Sequence, residues 1–221
     1  MENEIYCETL TFKKKPFFNF VKRFFDILVS FVSIIILIVP MFVIGIIVKC
    51  NSKGPAIFRD PRVGKDGRII YIWKYRSMYI DAESRLKKYL SSEQLDQFYK
   101  ERKISNDPRI TSFGRFIRKT SIDELPQLFN IFTGVISLVG PRPVCQRELD
   151  ENYTPEQKDF ICKVKPGLTG YWQAYGRSKV KYEDGERQKM NIYYVQNRSL
   201  FFDFKILFMT IPAVFKGDGA E

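Results

Sequence analysis

The most prominent hydrophobic pattern in the sequence is an apolar run at residues 27–48. It holds 22 residues without one charged side chain, and about 20 apolar residues suffice for a helix to span the hydrocarbon core of a bilayer. The run is too long, and begins too far into the chain, for a cleaved signal peptide. We therefore expect a membrane-embedded helix here.

Two features of this run favour a helix that re-enters the membrane and returns to the same face. Pro40 lies inside the run, where it removes a helical hydrogen bond and predicts a kink or break near Val39. Basic residues stand on both sides, Lys22 and Arg23 before the run and Lys49 after it, and basic flanks prefer the cytoplasmic side. A kinked spanning helix is the alternative, and the pattern does not decide between the two.

Beyond the apolar run, the pattern predicts a mostly helical domain with one short hairpin. β-Branched and aromatic residues at 57–58 and 68–76 surround the turn residues Gly64 and Asp66-Gly67, which is typical of a β-hairpin. Residues 139–143 and 165–170 are rich in proline and glycine and are predicted to be loops. Apolar residues spaced among charged ones predict helices within 81–102, 109–119, 125–132 and, more weakly, 200–215. The expected fold class is α+β.

Composition narrows the chemistry that this chain can perform. It contains no histidine, which excludes Ser-His-Asp hydrolysis, Cys-His proteolysis and histidine-ligated zinc. Its four cysteines include no C-x-x-C pair, so neither a disulfide framework nor a zinc site is expected. The net charge of +11 predicts an anionic partner, which could be a nucleic acid, a membrane surface or a phosphorylated substrate.

The densest run of reactive side chains lies at residues 115–126. Its adjacent carboxylates, Asp123 and Glu124, follow three basic residues, an arrangement suited to phosphoryl transfer because cations and a metal ion spread the charge of the transferred phosphate. The alternative is a helix start, since Ser121 and Glu124 match a capping box. Pro126 counts against that alternative, but the pattern leaves both open.

Residues 115–127 and 137–143 resemble the bacterial sugar transferase family, the small monotopic phosphoglycosyl transferases that load a phosphosugar onto polyprenyl phosphate. Further short motifs extend the resemblance, in one order, over nearly the whole chain: Lys22-Arg23-Phe24-Phe25-Asp26, Ser52-Lys53-Gly54-Pro55, Arg62-Val63-Gly64, Lys74-Tyr75-Arg76-Ser77-Met78, Asp107-Pro108-Arg109-Ile110-Thr111, Lys165-Pro166-Gly167-Leu168-Thr169-Gly170 and Asn197-Arg198-Ser199-Leu200. So many motifs in the same order are not expected by chance.

The resemblance implies a two-step reaction with a covalent intermediate. Asp123 is the implied nucleophile: it attacks the β-phosphate of a UDP-sugar, releases UMP and holds the phosphosugar. Undecaprenyl phosphate then accepts the phosphosugar, which starts synthesis of a capsule, an exopolysaccharide or another glycoconjugate. Asp123 is also the implied ligand of Mg²⁺, and Glu124 orients the pair. A carboxylate is ionised at neutral pH, so this mechanism needs no histidine base.

Two positions depart from the family pattern. Val39 precedes Pro40 where the family usually has serine, which removes a hydroxyl that would stabilise a helix break. Val135 stands where the family usually has an acidic residue, which bears on the local metal or loop geometry.

Five cations are predicted to contact substrate phosphates. Arg118, Arg142 and Arg177 are the first candidates, because guanidinium binds phosphate in a bidentate geometry and prolines flank Arg142. Lys74 and Arg76 are weaker candidates, since a cation on a strand is more often simply solvated.

These observations predict three regions at the cytoplasmic face of the inner membrane: an interfacial N-terminal segment (1–26), a re-entrant membrane helix (27–48) and a cytoplasmic catalytic domain (49–221). The expected partners are a UDP-sugar, polyprenyl phosphate and membrane lipids. Nucleic acid is not expected, because no basic stripe with stacked aromatics lies beyond the membrane flank. A membrane-associated basic binding module is the competing hypothesis. The sequence leaves open the sugar, the glycan pathway and the oligomeric state, including a homodimer.

Overall fold

The computed structural model describes residues 10–91, 93–95, 98, 104, 107–175 and 185–215. Its contacts divide the chain into two compact units. Unit 1 comprises the chain up to Ile36, the segment 59–73 and the described residues from Gln127 onward. Unit 2 comprises segments 37–58 and 74–126.

Over these described residues the fold is α+β and about 61% helical, as the sequence predicts. In chain order the described elements are α1 (Pro16–Asn51), β1 (Ile57–Val63), β2 (Ile69–Tyr75), α2 (Ala82–Tyr89), α3 (Ser112–Lys119), α4 (Gln127–Thr133), β3 (Ser137–Val139), α5 (Gln146–Asn152), α6 (Pro155–Ile161), β4 (Gly167–Thr169), α7 (Tyr171–Tyr175), α8 (Glu186–Asn197) and α9 (Leu200–Phe215). One-turn 3₁₀ helices lie at Lys65–Gly67 and Ile122–Glu124.

Helix α1 contains the predicted apolar segment and extends beyond it at both ends. Within the described ranges it is the one helix long and apolar enough to cross a membrane, and 11% of its most apolar stretch is buried. Helical structure continues through Pro40, so the predicted break does not interrupt the helix. Re-entry into the membrane therefore stays a prediction.

Strands β1 and β2 form the predicted antiparallel hairpin. The connection is a single 3₁₀ turn in which Asp66 and Gly67 adopt positive φ values of 59° and 71°. Aspartate and glycine tolerate this left-handed conformation better than most residues, which explains why the Asp-Gly pair predicted the turn correctly.

One turn of α1 ties that helix to three later parts of unit 1. The Lys22 ammonium donates to the Asp203 carboxylate on α9 at 2.5 Å. Arg23 donates to two main-chain carbonyls at the end of α4, both at 2.7 Å. The buried Asp26 carboxylate accepts from the Ser137 hydroxyl at 2.7 Å and from the Leu138 amide at 3.0 Å. The Lys-Arg-x-x-Asp spacing is therefore a structural anchor.

Strands β3 and β4 pair in parallel, with Ser137 opposite Gly167 and Val139 opposite Thr169. The prediction that residues 139–143 and 165–170 form only loops was wrong here, because three-residue strands carry too few positions for an alternating pattern. Glycine is required at position 167 because the two backbone segments approach closely: a Cβ on Gly167 would lie 2.0 Å from the Gly140 nitrogen. The predicted glycine-rich loops are thus a packing contact within unit 1.

In unit 2, the chain after β2 is fixed against the start of α3. Met78 forms an antiparallel bridge with Ile110, and the Thr111 amide donates to the Ser77 carbonyl at 3.0 Å. The Thr111 hydroxyl caps α3 by accepting from the Gly114 amide at 2.8 Å. A Cβ on Gly114 would lie 2.0 Å from the Ser77 carbonyl oxygen, so this glycine lets α3 approach the bridge.

Candidate active site

Asp123 and Glu124 lie on the 3₁₀ turn Ile122–Glu124 that follows α3. Ser121 enters this turn in the left-handed conformation, with φ at 55°, and its side chain makes no capping hydrogen bond. The capping-box alternative is therefore wrong. A non-glycine residue in this region costs about 1–3 kcal/mol and is found where surrounding contacts enforce it, often at functional sites.

Backbone hydrogen bonds hold the turn in place. The Ser121 amide donates to the Arg118 carbonyl at 3.0 Å, and the Glu124 amide donates to the Ser121 carbonyl at 3.2 Å. Pro126, which is buried, ends the turn immediately before α4. The sequence Ser-Ile-Asp-Glu-Leu-Pro thus presents two adjacent carboxylates on a short, constrained segment.

The Asp123 carboxyl is electrostatically perturbed. Burial, and after it the charge of the neighbouring Glu124, raise its pKa, while Lys74 and Arg118 act in the opposite direction; the net result is a pKa of about 6 against an ordinary value of 3.8. The group is therefore ionised at neutral pH but in an environment that disfavours its charge. Such a carboxylate is a better nucleophile than a solvated one and favours binding of a cation beside it.

Arg118, on the last turn of α3, is the cation that the structure supports most directly. Its Nε donates to the Ser77 hydroxyl at 2.9 Å. Burial lowers its pKa, whereas the charges of Asp123 and Asp107 raise it. Among the residues that the structure describes, its terminal nitrogens make no hydrogen bond, so they can donate to an anion beside Asp123.

Asp107 and Ser77 support this arginine, and sequence reasoning did not single them out as site residues. Arg109 binds the Asp107 carboxylate through Nε at 3.0 Å and through one terminal nitrogen at 2.7 Å. Burial raises the pKa of Asp107, but its hydrogen bonds with Arg109 and the charges of Arg109 and Arg118 produce a net lowering. The two motifs containing these residues were visible in the sequence, but their proximity to Arg118 was not.

The two predicted strand cations differ in their surroundings. Lys74, on β2, is close enough to Asp123 to lower that pKa. Arg76 is 8% exposed and donates to the main-chain carbonyls of Ser52, at 2.6 Å, and Lys53, just past the end of α1. In this structure Arg76 therefore stabilises the exit of the chain from α1.

Arg142 belongs to unit 1, where its backbone amide donates to the Asn191 side chain at 3.0 Å. Its guanidinium lies 4.8 Å from the Trp172 ring centre, and Arg187 lies 4.3 Å from the same ring. Arg177 lies outside the described residues. The structure thus brings Asp123, Glu124, Lys74 and Arg118 together in unit 2 and describes Arg142 in unit 1.

The donor set fits magnesium held jointly by protein and substrate. Within the described ranges no three His, Cys, Asp or Glu side chains cluster as a metal cage. Mg²⁺ is usually bound by one or two carboxylates together with substrate phosphates. Asp123 and Glu124 supply two adjacent carboxylates. Burial and then the charge of Glu124 raise the pKa of Asp123, and a divalent cation would stabilise the negative charge that both effects disfavour.

Comparison with known proteins gives a consistent match over this chain. The family model described as "Bacterial sugar transferase" matches residues 17–217. The UDP-galactose-lipid carrier transferase of Erwinia amylovora is 46% identical over 204 residues, and the undecaprenyl-phosphate galactose phosphotransferase of Salmonella typhimurium is 43% identical over 204 residues. Each alignment covers 91% of this chain but 42% of the relative, so the chain spans about two fifths of their length.

A third relative is similar along most of its own length. The exopolysaccharide production protein ExoY of Rhizobium meliloti is 37% identical over 202 residues, which cover 90% of this chain and 88% of the relative.

Proposed function

The chain belongs to the bacterial sugar transferase family, and we propose that it transfers a sugar 1-phosphate from a UDP-sugar to undecaprenyl phosphate. The observation that carries this proposal is the half-buried Asp123 carboxylate, with its raised pKa, beside Lys74 and Arg118. A carboxylate flanked by cations on a constrained turn suits nucleophilic attack on a phosphorus atom.

In the first step, a carboxylate oxygen of Asp123 attacks the phosphorus that bears the sugar. The bond from this phosphorus to the bridging oxygen breaks, and UMP leaves with that oxygen. The phosphosugar is then linked to Asp123 as an acyl phosphate. Arg118 donates hydrogen bonds to the phosphate oxygens, and Lys74 offsets the negative charge that gathers there.

In the second step, a phosphate oxygen of undecaprenyl phosphate attacks the same phosphorus. The bond to Asp123 breaks, which restores the carboxylate and gives a diphosphate-linked sugar. The acceptor is already an anion, so no group has to remove a proton from it. This agrees with a chain that contains no histidine.

Magnesium is the cofactor that we propose, held by Asp123 with Glu124 as the adjacent orienting carboxylate. When bound, Mg²⁺ would neutralise part of the diphosphate charge and stabilise the departing UMP. The proposed role of Glu124 is to fix the position of the Asp123 carboxylate relative to the donor phosphates.

We also propose that the chain works at the cytoplasmic face of the inner membrane, in contact with lipids. The first turns of α1 and helix α9, both in unit 1, support membrane association, because each exposes several aromatic side chains. Phe17 and Phe20 of α1 are 77% and 74% exposed, and Phe201 and Phe208 of α9 are 80% and 72% exposed. Aromatic side chains of this kind favour the membrane interface.

The donor that we propose is UDP-galactose, in exopolysaccharide or capsule synthesis. Support comes from the two relatives at 46% and 43% identity, both named for galactose transfer. UMP release measured across a panel of UDP-sugars tests this choice. A preference for UDP-glucose or an N-acetylated sugar would contradict it.

The nucleophile is tested with Asp123→Asn, which keeps the shape of the side chain and removes its charge. We expect wild-type protein incubated with donor alone to release UMP and gain the mass of one phosphosugar by intact mass spectrometry. The variant should do neither. The matched control is Asp159→Asn, which changes a carboxylate that is 72% exposed on α6 and should leave both readouts unchanged.

Two results would contradict the proposal in different ways. Full turnover by Asp123→Asn would rule out Asp123 as the nucleophile. UMP release by wild-type protein without any mass adduct, under rapid quenching, would rule out the covalent intermediate while leaving the transferase assignment intact.

A further inference from the structure

A basic pocket lies in unit 1, beneath the first turns of α1. It has a volume of about 210 Å³, smaller than the roughly 300–1,000 Å³ of pockets for drug-sized ligands. One of its lining side chains, Asp26, is acidic, and six are cationic: Lys22, Arg23, Lys65, Lys163, Lys165 and Arg198. None of the lining residues belongs to the unit that carries Asp123.

Four of these cations already have partners within the protein. Lys22 pairs with Asp203, and Lys163 pairs with Asp159 at 2.8 Å. Arg23 and Arg198 donate to main-chain carbonyls. Over the ranges that the structure describes, Lys65 and Lys165 make no ion pair, and neutral carbonyl groups do not cancel the charges of Arg23 and Arg198. The pocket therefore retains four positive charges against the single acidic side chain Asp26.

These charges are crowded. The Arg23 guanidinium and the Lys165 ammonium each lie 3.1 Å from the position that a Cβ would take on Gly134, which puts them no more than twice that distance apart. Burial lowers the pKa of Lys165, and the charges of Arg23 and Lys65 lower it further against the opposing effect of Asp26. An anion in the pocket would relieve this repulsion.

Asp26 does not fill that role. The residue is 4% exposed, and its carboxylate already accepts hydrogen bonds from the Ser137 hydroxyl and the Leu138 amide. Its charge therefore anchors α1 and leaves the outer part of the pocket basic.

We propose that this pocket binds the phosphate of an anionic phospholipid headgroup. The phosphate would lie between Lys65, Lys165 and Arg23, and the acyl chains would extend along α1. A lipid is favoured over soluble phosphate because the lining residue Asp26 immediately precedes the apolar run of α1. Basic pockets beside membrane helices are known to receive anionic headgroups.

The test uses the full chain in a neutral detergent and measures binding by native mass spectrometry. The probes are dihexanoyl phosphatidylglycerol, dihexanoyl phosphatidylcholine and inorganic phosphate. We expect phosphatidylglycerol to bind at least tenfold more tightly than phosphatidylcholine, whose headgroup has no net charge. The double variant Lys65→Gln/Lys165→Gln should weaken phosphatidylglycerol binding at least tenfold.

A matched control removes two charges elsewhere. Lys87→Gln/Lys88→Gln changes two exposed side chains of α2 in unit 2 and should alter the affinity less than twofold. If the pocket double variant melts at a lower temperature, Lys65→Glu provides the test through a single exposed position, with a loss of at least fivefold expected.

Several outcomes would overturn the proposal. Equal losses in the pocket and control variants would show general attraction to a basic protein. Unchanged affinity in both pocket variants would exclude Lys65 and Lys165. Inorganic phosphate bound as tightly as phosphatidylglycerol would assign the pocket to a soluble anion. Because the readout is binding, none of these results depends on whether Asp123 is a nucleophile.

Discussion

The raised pKa of Asp123 predicts that removing its charge stabilises the protein while abolishing activity. Asp123→Asn keeps the volume of the side chain but removes a carboxylate that burial and Glu124 disfavour in its ionised form. The expected gain in stability depends on pH, which separates it from any constant effect of the substitution.

The size of the expected stabilisation follows from the difference between the pKa of Asp123 in the folded chain and its ordinary value. The pKa of Asp123 is about 6 in the folded chain against an ordinary value of 3.8. Each pH unit between these values corresponds to about 1.4 kcal/mol, so the ionised carboxylate lowers the unfolding free energy of the wild type by about 3 kcal/mol above pH 7. The folded chain holds the proton more tightly, so this penalty is absent below pH 3.8 and grows as pH rises to 6.

The assay compares thermal unfolding of wild type and Asp123→Asn in detergent, with EDTA present to remove divalent cations. The melting temperature of the variant should exceed that of the wild type by about 6–12 °C at pH 8, and the difference should shrink towards pH 4. The exposed control Asp159→Asn should show no such trend. A difference that is the same at pH 5 and pH 8, or that grows as pH falls, would refute the assignment of a raised pKa to Asp123.

Three further predictions follow from contacts described above. Asp26→Ala leaves a buried hydroxyl and a buried amide unpaired and should lower the unfolding free energy by about 3 kcal/mol, measured by thermal or denaturant unfolding; an unchanged midpoint would contradict the anchor. Gly167→Ala places a Cβ 2.0 Å from the Gly140 nitrogen and should prevent stable folding, visible as aggregation on purification, whereas well-folded protein would show that the β3–β4 contact can widen. Ser77→Ala removes the 2.9 Å bond to Arg118 and should slow single-turnover UMP release about tenfold. It should also lower the melting temperature, by about 2–4 °C for each kcal/mol lost, because the Arg118 Nε is left without its partner. Restoration of the rate by Ser77→Thr would confirm that the hydroxyl positions the guanidinium.

The parts of the fold that the sequence predicted are those encoded by neighbouring residues. The apolar run, the Asp-Gly turn and the helices α3, α4 and α9 each have a local pattern that is independent of the rest of the chain. The β3–β4 pair does not. Its strands have three residues each and are joined by contacts between Ser137 and Gly167, so only the tertiary structure identifies them.

The same distinction applies to the candidate site. Asp123 and Glu124 could be named from the sequence because they are adjacent and carry a family motif. The sequence could not distinguish the surroundings of Lys74 from those of Arg76, since both are cations of the same predicted strand segment, 68–76. Arg76 differs from Lys74 because its guanidinium donates to main-chain carbonyl groups just after α1. No local sequence pattern predicts those hydrogen-bond partners. Ser77 was missed for the same reason.

The anchor formed by one turn of α1 has a consequence for how the protein is made. Its three contacts join residues separated by 181, 108 and 112 positions along the chain. Synthesis proceeds from the N-terminus, so Lys22, Arg23 and Asp26 leave the ribosome long before any of their partners. Helix α1 is therefore complete while its anchoring charges are still unsatisfied, and unit 1 can close only after residue 203 has been made. Formation of α1, whose backbone hydrogen bonds are local, and completion of unit 1 are thus separate events, in that order.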